Sequence, residues 1–297
     1  MEILRRELES SECPLAFSVG HSLSGGTGSG LGTLILTRLC DEFPDILRVS
    51  SSIFPSPGMA GDQNLAPFNS LCAFNMLAEF CDQVYLYDNS ALNRCLSRYL
   101  KMEKPQLKDL NRLFAYVQCH ITSPMRYPGK LSSDLRKMGT NLLPFPRLKF
   151  LGLSQSPICF EFDLHKESWS MAGPKKLSQH VLHPDNSLTS IDVESGKFLS
   201  SAMIWRGNMF TAEWETLGPE LREKMSEYSV PWIPYNMQMI HARGGPIESN
   251  LSCTLIGNHT GIQNIFAHNI QNFNKFFKFD FVLFLFLFLF LDLIGIV

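Results

Sequence analysis

A glycine-rich stretch near the beginning of the chain holds the residues best suited to chemistry. Residues 25–30 read GGTGSG, so four glycines lie within six positions, together with hydroxyl groups on Thr27 and Ser29 that can donate hydrogen bonds. Glycines let the backbone adopt positive φ and come close to a ligand. A helix that begins at such a turn directs free N–H groups and its positive dipole end to one point. The stretch therefore predicts a site for an anion, above all phosphate.

Two well-known phosphate loops fit this stretch poorly. A Walker loop needs Lys and then Ser or Thr after its last glycine, but Gly30 is followed by Leu31 and Gly32. The dinucleotide fingerprint needs a third glycine where Leu31 stands, and an acidic residue after the next strand, where no clean candidate is found. On spacing alone, a phosphate loop of unassigned type and a flexible turn without a ligand both stay open.

The surrounding pattern predicts the elements that must hold this loop. Residues 16–21 favour a short apolar strand, and after the loop Leu31, Leu34, Ile35 and Leu39 follow helical spacing. Further strands are predicted at 47–53, 83–87, 197–205 and 251–258, and further helices at 71–80, 110–121 and 260–276. The strand at 83–87 delivers Asn89 near its carboxyl end, the edge at which doubly wound sheets bind ligands.

The longer string over residues 21–30, HSLSGGTGSG, resembles the signature loop of the tubulin and FtsZ superfamily of GTPases, in which it wraps the nucleotide phosphates. Shorter strings resemble tubulins in the same order and spacing: PSP at 55–57, PFN at 67–69, DNSAL at 88–92, DLN at 109–111, RYPG at 126–129, DLRK at 134–137 and NLLPFPR at 141–147. The resemblance runs from about Leu4 to about Lys278 and is weaker between Ser154 and Asp192.

From this resemblance we expect an α/β fold. Residues 1–125 would form a partial doubly wound GTPase domain with a central helix, and residues 126–280 an α+β intermediate domain with a mixed sheet plus helices. The family's first strands and N-terminal glycine-rich loop have no counterpart here, so we expect a partly walled nucleotide pocket. The Phe/Leu run at 281–297 is not family-like; it is strand-prone and, between Asp280 and Asp292, short for a membrane helix, so a membrane anchor is not expected.

The resemblance implies GTP as the bound cofactor, with Mg²⁺ beside it on ligands from the family's N-terminal part. No catalytic residue and no metal-ligand set is predicted within this sequence. The nucleotide-binding residues that the resemblance implies are Ser22, Gly25, Gly26, Thr27, Gly28, Ser29, Gly30, Asp62, Asn89, Leu107 and Asn111.

Several of these positions carry alternatives. Asp62 would accept a hydrogen bond from the ribose or simply occupy a surface turn, and Ala66 stands where the family usually has an acidic residue. Asn89 would bind guanine through its amide, cap a helix, or do both. Asn111 matches the second guanine-binding asparagine of the family. Leu107 replaces the aromatic that stacks on the base, and because leucine lacks a π face, we expect weak GTP binding or none.

Asp134 and Lys137 are expected to contact a neighbouring subunit. In the family, this segment touches the nucleotide of the next subunit, and alpha-type chains carry a Glu there that polarises the attacking water. Lys137 gives the beta-type pattern, and a charged lysine cannot accept a proton. This chain is therefore expected not to trigger hydrolysis on its neighbour. Without the resemblance, Arg136 and Lys137 would be interpreted as solvent-facing helix charges.

Composition indicates a cytoplasmic protein. A hydrophobic content of 45% is enough for a sizeable core, and a net charge of -2 argues against a nucleic-acid partner. The eight cysteines include no CxxC pair, which is typical of a reducing compartment. We therefore expect a cytoskeletal tubulin that binds other subunits, alpha-type ones in particular, in microtubules or, as Ser24, Ala66 and Leu107 favour, in centriole and basal-body assemblies. A non-functional fragment and a stand-alone nucleotide hydrolase are the alternatives.

Overall fold

The computed structural model describes residues 1–55, 65–130, 134–158, 173–191, 193, 195–233, 236–244 and 251–293. For residue 130 and residues 279–293 it describes the backbone alone. All statements about the fold refer to these residues.

Helices and strands alternate along the first half of the chain. The helices are α1 (Glu2–Ser10), α2 (Gly32–Glu42), α3 (Ala66–Phe80), α4 (Asn89–Tyr99), α5 (Leu107–Ile121), α6 (Ser123–Arg126), α7 (Leu135–Leu142), α8 (Pro174–Val181), α9 (Thr211–Tyr228) and α10 (Ile262–Leu293). The strands are β1 (Ala16–Ser22), β2 (Leu47–Phe54), β3 (Gln83–Asp88), β4 (Gly129–Lys130), β5 (Phe150–Ser156), β6 (Phe198–Gly207), β7 (Met237–Ala242) and β8 (Leu251–His259).

Within the described residues the strands form one mixed sheet in the order β1-β2-β3-β5-β8-β6-β7-β4. Strands β1, β2, β3 and β5 run parallel, whereas β8 pairs antiparallel with both β5 and β6. The first and second halves of the chain meet where β3 pairs with β5, in the register Val84–Phe150 and Tyr85–Leu151. The predicted α/β fold with a mixed sheet is confirmed.

Helices cover both faces of this sheet. Helices α4, α5 and α7 contribute to one core, whose buried side chains include Leu92, Leu113 and Leu135. On the other face, α2, α3 and α10 pack over the parallel strands, and α8 and α9 pack over the mixed ones. The central helix α5 contacts α4 and also strands β6 and β8, so it bridges the two halves.

The predicted helix after the glycine loop is present, but its buried face is not the predicted one. Leu31 and Leu34 are each 52% exposed, whereas Leu36 and Leu39 are buried. In the preceding turn the N–H of Gly32 donates to the carbonyl oxygen of Thr27, five residues back. Helical spacing indicates which residues share a face, but the packing of α2 against α3, β1 and β2 decides which face is buried.

The Phe/Leu run near the end of the chain continues a helix. Its backbone belongs to α10 as far as Leu293, so the prediction of a strand-prone segment is wrong for residues 281–293. No Gly or Pro interrupts the chain between Ile262 and Leu293, and Phe and Leu are equally apolar, so their alternation creates no polar face for a strand. Within the part of the chain that the structure describes, no helix is long and apolar enough to cross a membrane.

Candidate functional site

The glycine loop begins where β1 ends at Ser22 and runs into a helix. The first hydrogen bond of this helix joins the N–H of Ser29 to the carbonyl oxygen of Gly25, at 3.0 Å. The N–H groups of residues 26–28 precede that bond and have no carbonyl one turn earlier to bind. A wider, π-type turn over Thr27–Leu31 then leads into α2. The loop therefore presents free donors at the positive end of a helix, the geometry that binds anions.

The loop glycines allow the backbone to approach its neighbours closely, and none of them adopts positive φ. Among the described glycines, positive φ occurs at Gly207 and not in the loop, so that expectation from the sequence is wrong. A Cβ atom at Gly28 would overlap the carbonyl oxygen of Ser22, whereas at Gly25, Gly26 or Gly30 it would meet nothing within 4 Å. Gly28 thus lets the loop pack onto the end of β1, and the other three leave one side of the loop open for a ligand.

The two hydroxyl groups of the loop differ in environment. Ser29 is buried and its Oγ donates to the carbonyl oxygen of Gly25 at 2.8 Å, so its proton is already used within the loop. Thr27 is exposed, and so is Ser22, whose Oγ accepts a hydrogen bond from the N–H of Ser24 at 3.4 Å. A hydroxyl donor for a ligand is therefore available from Thr27 and not from Ser29 as it is placed here.

Two residues that were not among the predicted site residues hold the loop from two sides. The side-chain amide of Asn69, on α3, donates to the carbonyl oxygen of Ser24 at 2.9 Å. The ring of His21, on β1, lies beneath the loop with Nδ1 2.7 Å from the carbonyl oxygen of Gly28. Burial lowers the pKa of His21, an effect partly opposed by the bond to Gly28, which raises it. The sequence signal that could have identified His21 is its position as a polar side chain in the strand directly before the glycine loop.

Asn89 lies on the same edge of the sheet as the loop. Strands β1, β2 and β3 are parallel neighbours, so their carboxyl ends share one edge, where Ser22 and Asp88 end their strands. Asn89 is the first, half-exposed residue of α4. The alternative that Asn89 caps this helix is wrong, because Asp88 is the capping residue and accepts from the N–H of Ser90 at 2.9 Å.

The start of α5 carries the other predicted base-binding residues. Leu107 is 68% exposed at the first position of the helix, and Asn111, one turn later on the same side, is also exposed. Helix α5 packs against α4, which begins at Asn89. Asp62 lies outside the described residues.

Helix α7, which carries Lys137, lies at the other edge of the parallel strands. Gln83, the first residue of β3, donates from its side-chain amide to the carbonyl oxygen of Leu135 at 2.9 Å. Arg136 donates to the carbonyl oxygen of Asp45, which precedes β2, at 2.7 Å. Both contacts are at the amino ends of their strands. Lys137 is exposed, and Asp134 is half-buried at the start of the helix.

The described part of the chain contains no group of three His, Cys, Asp or Glu side chains arranged to hold a metal ion. Oxygen ligands are what Mg²⁺ prefers, and it is usually held by one or two carboxylates together with phosphate. Asp88, the acidic residue at the loop edge, is engaged by the N–H and hydroxyl of Ser90 and by the hydroxyl of Ser190. Its carboxylate oxygens are therefore already used to cap α4.

Two family models match this chain in sequence order. Residues 1–97 match the Tubulin/FtsZ family, GTPase domain, and residues 146–271 match the Tubulin C-terminal domain. The glycine loop and Asn89 fall within the first match, and β5, β6, β7 and β8 within the second. The chain belongs to the tubulin family.

The relatives to which this chain is similar include beta-type tubulins. The tubulin beta chain of Saccharomyces cerevisiae is 35% identical over 278 residues, which is 94% of this chain and 60% of the relative. The tubulin beta-2 chain of Geotrichum candidum is 37% identical over the same share of this chain and 60% of its own length. The tubulin beta-1 chain of Hypocrea rufa is 35% identical, with 61% of its length covered. The chain is thus a divergent, beta-like tubulin that spans about three-fifths of these relatives' length.

Proposed function

We propose that the chain acts as a cytoskeletal tubulin subunit, with a GTP site at the carboxyl ends of β1–β3 and a subunit contact at their amino ends. The observation that supports this most is the position of the glycine loop and of α7 at opposite edges of the same parallel strands. Strand β2 has eight residues. At about 3.3 Å per residue this separates the two edges by roughly 25 Å. A subunit with two such ends associates head to tail, in a contact that does not close.

Each part of the GTP site has a chemical role in this proposal. The free N–H groups of residues 26–28 bind the phosphates, while Asn89 and Asn111 bind the guanine edge through their amides. Leu107 covers the base by apolar contact without a π face, so low affinity is expected for the chain alone. Mg²⁺ is expected to accompany the nucleotide on ligands outside the part of the family that this sequence matches.

The GTP site is tested by amide chemical shifts of the labelled chain during titration with GTP and, separately, ATP. We expect GTP to shift the glycine-loop amides together with Asn89 and Asn111, with an affinity weaker than micromolar, whereas ATP shifts the loop alone. An Asn111→Ala variant should lose this distinction. Cys119→Ala, an exposed change at the far end of α5, should keep it. Loop amides that do not move at millimolar GTP would overturn the site, and micromolar affinity would overturn the expected weakness.

The subunit contact is expected to involve Asp134 and Lys137 and an alpha-type partner. A lysine does not supply a general base, so hydrolysis on the neighbour's nucleotide is not expected from this chain. In co-assembly with other tubulin subunits, Lys137→Glu should raise GTP turnover. Thr140→Glu, an equally exposed change one turn later on α7, should leave it unchanged. Equal turnover in all three proteins would contradict the role of Lys137.

Protein concentration separates this proposal from a stand-alone nucleotide hydrolase. If the active site is completed between subunits, any GTP turnover per chain should rise with total subunit concentration. Turnover that is independent of concentration would favour the hydrolase. Co-sedimentation with microtubules tests the cytoskeletal placement, and imaging of the tagged chain tests the finer expectation of centrioles and basal bodies within the cytoplasm.

A further inference from the structure

His21 is set between the glycine loop and two buried serines of β2. Its Nδ1 lies 2.7 Å from the carbonyl oxygen of Gly28, and its Nε2 lies 2.8 Å from Oγ of Ser50 and 3.2 Å from Oγ of Ser52. Both serines are 0% exposed, and their hydroxyl oxygens are 2.7 Å apart. The ring therefore has a hydrogen-bonding partner on each nitrogen, one in the loop and one in the sheet.

The partners determine which nitrogen carries the proton. A carbonyl oxygen only accepts, so Nδ1 of His21 must be the donor to Gly28. Because burial lowers the pKa of His21, the ring is neutral near pH 7 and its Nε2 is an acceptor. One serine hydroxyl then donates to Nε2, and the other donates to the first serine. This chain of hydrogen bonds favours a single tautomer.

The bond to His21 also restricts the peptide that joins Gly28 to Ser29. Glycine-rich segments can rotate their peptide planes at low cost, and a rotated plane would turn a carbonyl oxygen toward a bound phosphate, with repulsion between the two. Here the carbonyl of Gly28 is held toward the sheet by His21, and the N–H of Ser29 is held by Gly25. Held in this way, the peptide between Gly28 and Ser29 does not turn its carbonyl oxygen toward an anion bound at the N–H groups of residues 26–28.

We propose that His21 is a positioning residue of the phosphate loop, whose Gly28 carbonyl it holds toward the sheet through its Nδ1–H, and that Ser50 and Ser52 fix the tautomer this requires. The inference rests on the proposed nucleotide site, because it assigns that site its support. His21 itself does not contact the ligand in this scheme. Its effect is on the orientation of one peptide plane in the loop.

The first test compares His21→Leu with His21→Asn. An asparagine amide N–H can take the position of Nδ1–H, whereas leucine removes the donor. Inorganic triphosphate is the probe, since it needs the loop but not Asn89 or Asn111. We expect His21→Leu to weaken triphosphate binding by about tenfold, the effect of one lost hydrogen bond. His21→Asn should stay within about threefold of the native chain on the same scale. Urea unfolding of both variants checks that they fold.

The second test reads the tautomer directly. The ¹⁵N shifts of the His21 ring should show Nδ1 protonated and Nε2 bare in the native chain. In the Ser50→Ala/Ser52→Ala double variant they should move toward the Nε2–H form, with weaker triphosphate binding. Ser51→Ala is the matched control, because Ser51 is equally buried on β2 but accepts its hydrogen bond from Gln118 on the other face of the sheet. It should change neither the shifts nor the binding.

The outcomes distinguish this inference from the proposed function. Binding of triphosphate without binding of GTP would refute the GTP site and leave the role of His21 supported. Native affinity in His21→Leu, or a native ring protonated on Nε2, would overturn the role of His21 while the GTP site stands. Absence of binding for both probes would overturn both.

Discussion

Strands β1 and β6 show how differently the two halves of the sheet are built. No residue of β1 is buried, whereas every residue of β6 is, with helices packed on both of its faces. Strand β1 ends at the glycine loop, and its polar His21 contacts that loop. Strand β6 instead sends Trp205 and Met203 into one core and Ile204 into the other. The difference indicates that β6 provides stability, and it fits the proposed site at the end of β1, since binding loops belong to the less stable parts of a protein.

The largest effect is expected in the mixed half. Trp205 is fully buried, so Trp205→Ala should lower the free energy of unfolding by about 3–5 kcal/mol, measured by urea denaturation. Trp232→Ala is the control, because this side chain is 68% exposed and its removal should change stability by less than about 0.5 kcal/mol. Similar losses for both variants would contradict the assignment of β6 as the stabilising strand.

A smaller effect is expected in the glycine loop, where the matched variants Gly28→Ala and Gly30→Ala should affect stability differently. Gly28→Ala should destabilise the chain by about 1–3 kcal/mol, because the added Cβ overlaps the carbonyl oxygen of Ser22. Gly30→Ala meets open space in the helical turn and should be neutral or stabilising by up to about 1 kcal/mol. Thermal unfolding measures both changes. If Gly30→Ala proved as harmful as Gly28→Ala, the packing of the loop on β1 would be wrong.

We expect the stability of the chain to depend on pH because of His120, which lies on α5 between the two halves of the sheet. Burial lowers its pKa to about 3, with Arg206 and Arg126 adding to the shift. The unfolded chain takes up this proton below pH 6.5 and the folded chain does not, so stability falls as the pH drops from 6.5 toward 3. Between pH 7 and pH 5 the loss should be about 2 kcal/mol.

Replacing the titrating group tests this assignment. In His120→Gln, the free energy of unfolding should fall by about 2 kcal/mol less between pH 7 and pH 5 than in the native chain. The glutamine amide can still pair with the hydroxyl of Ser252, which lies 3.1 Å from the native ring. The pKa of His21 is also lowered by burial, so some slope of the same sign should remain. An unchanged slope in His120→Gln would show that His120 titrates normally.

The smallest effect is expected at α1, which contributes no buried residue. Its ion pair between Arg5 and Glu42 is 3.1 Å long and largely exposed. Water and salt screen such pairs, so Arg5→Ala should change stability by less than about 1 kcal/mol, and by less still at high salt. A loss comparable to that of Gly28→Ala would show that α1 supports the loop half more strongly than its contacts suggest.

Local patterns predicted most of the elements near the site. The strand before the loop, the strand ending at Asp88 and the long helix with Leu110, Leu113 and Val117 on its buried side all occur as the spacing indicated. The position of Asn89 at a strand's carboxyl end followed from the same patterns. These features depend on residues within a turn or two of each other, which is why periodicity captures them.

The wrong predictions from the sequence concern features that depend on packing between segments distant in the chain. Leu31 and Leu34 were placed on an apolar helix face, but α2 packs through Leu36 and Leu39 and leaves them exposed. The capping role considered for Asn89 belongs to Asp88. The Phe/Leu run continues a helix that begins 19 residues before its first position at 281, since nothing in between ends that helix.

The sequence by itself determined the family, the strand–loop–helix order and the presence of a glycine-rich loop, because each depends on contiguous residues. Tertiary structure alone decided that Gly28 is the glycine the packing requires, and that the loop and Lys137 lie at opposite edges of the sheet. It also placed His21 between the loop and Ser50. The contacts behind these relations join residues 6 to 91 positions apart in the chain. The parallel pairing of β1, β2 and β3 brings the more distant of them together.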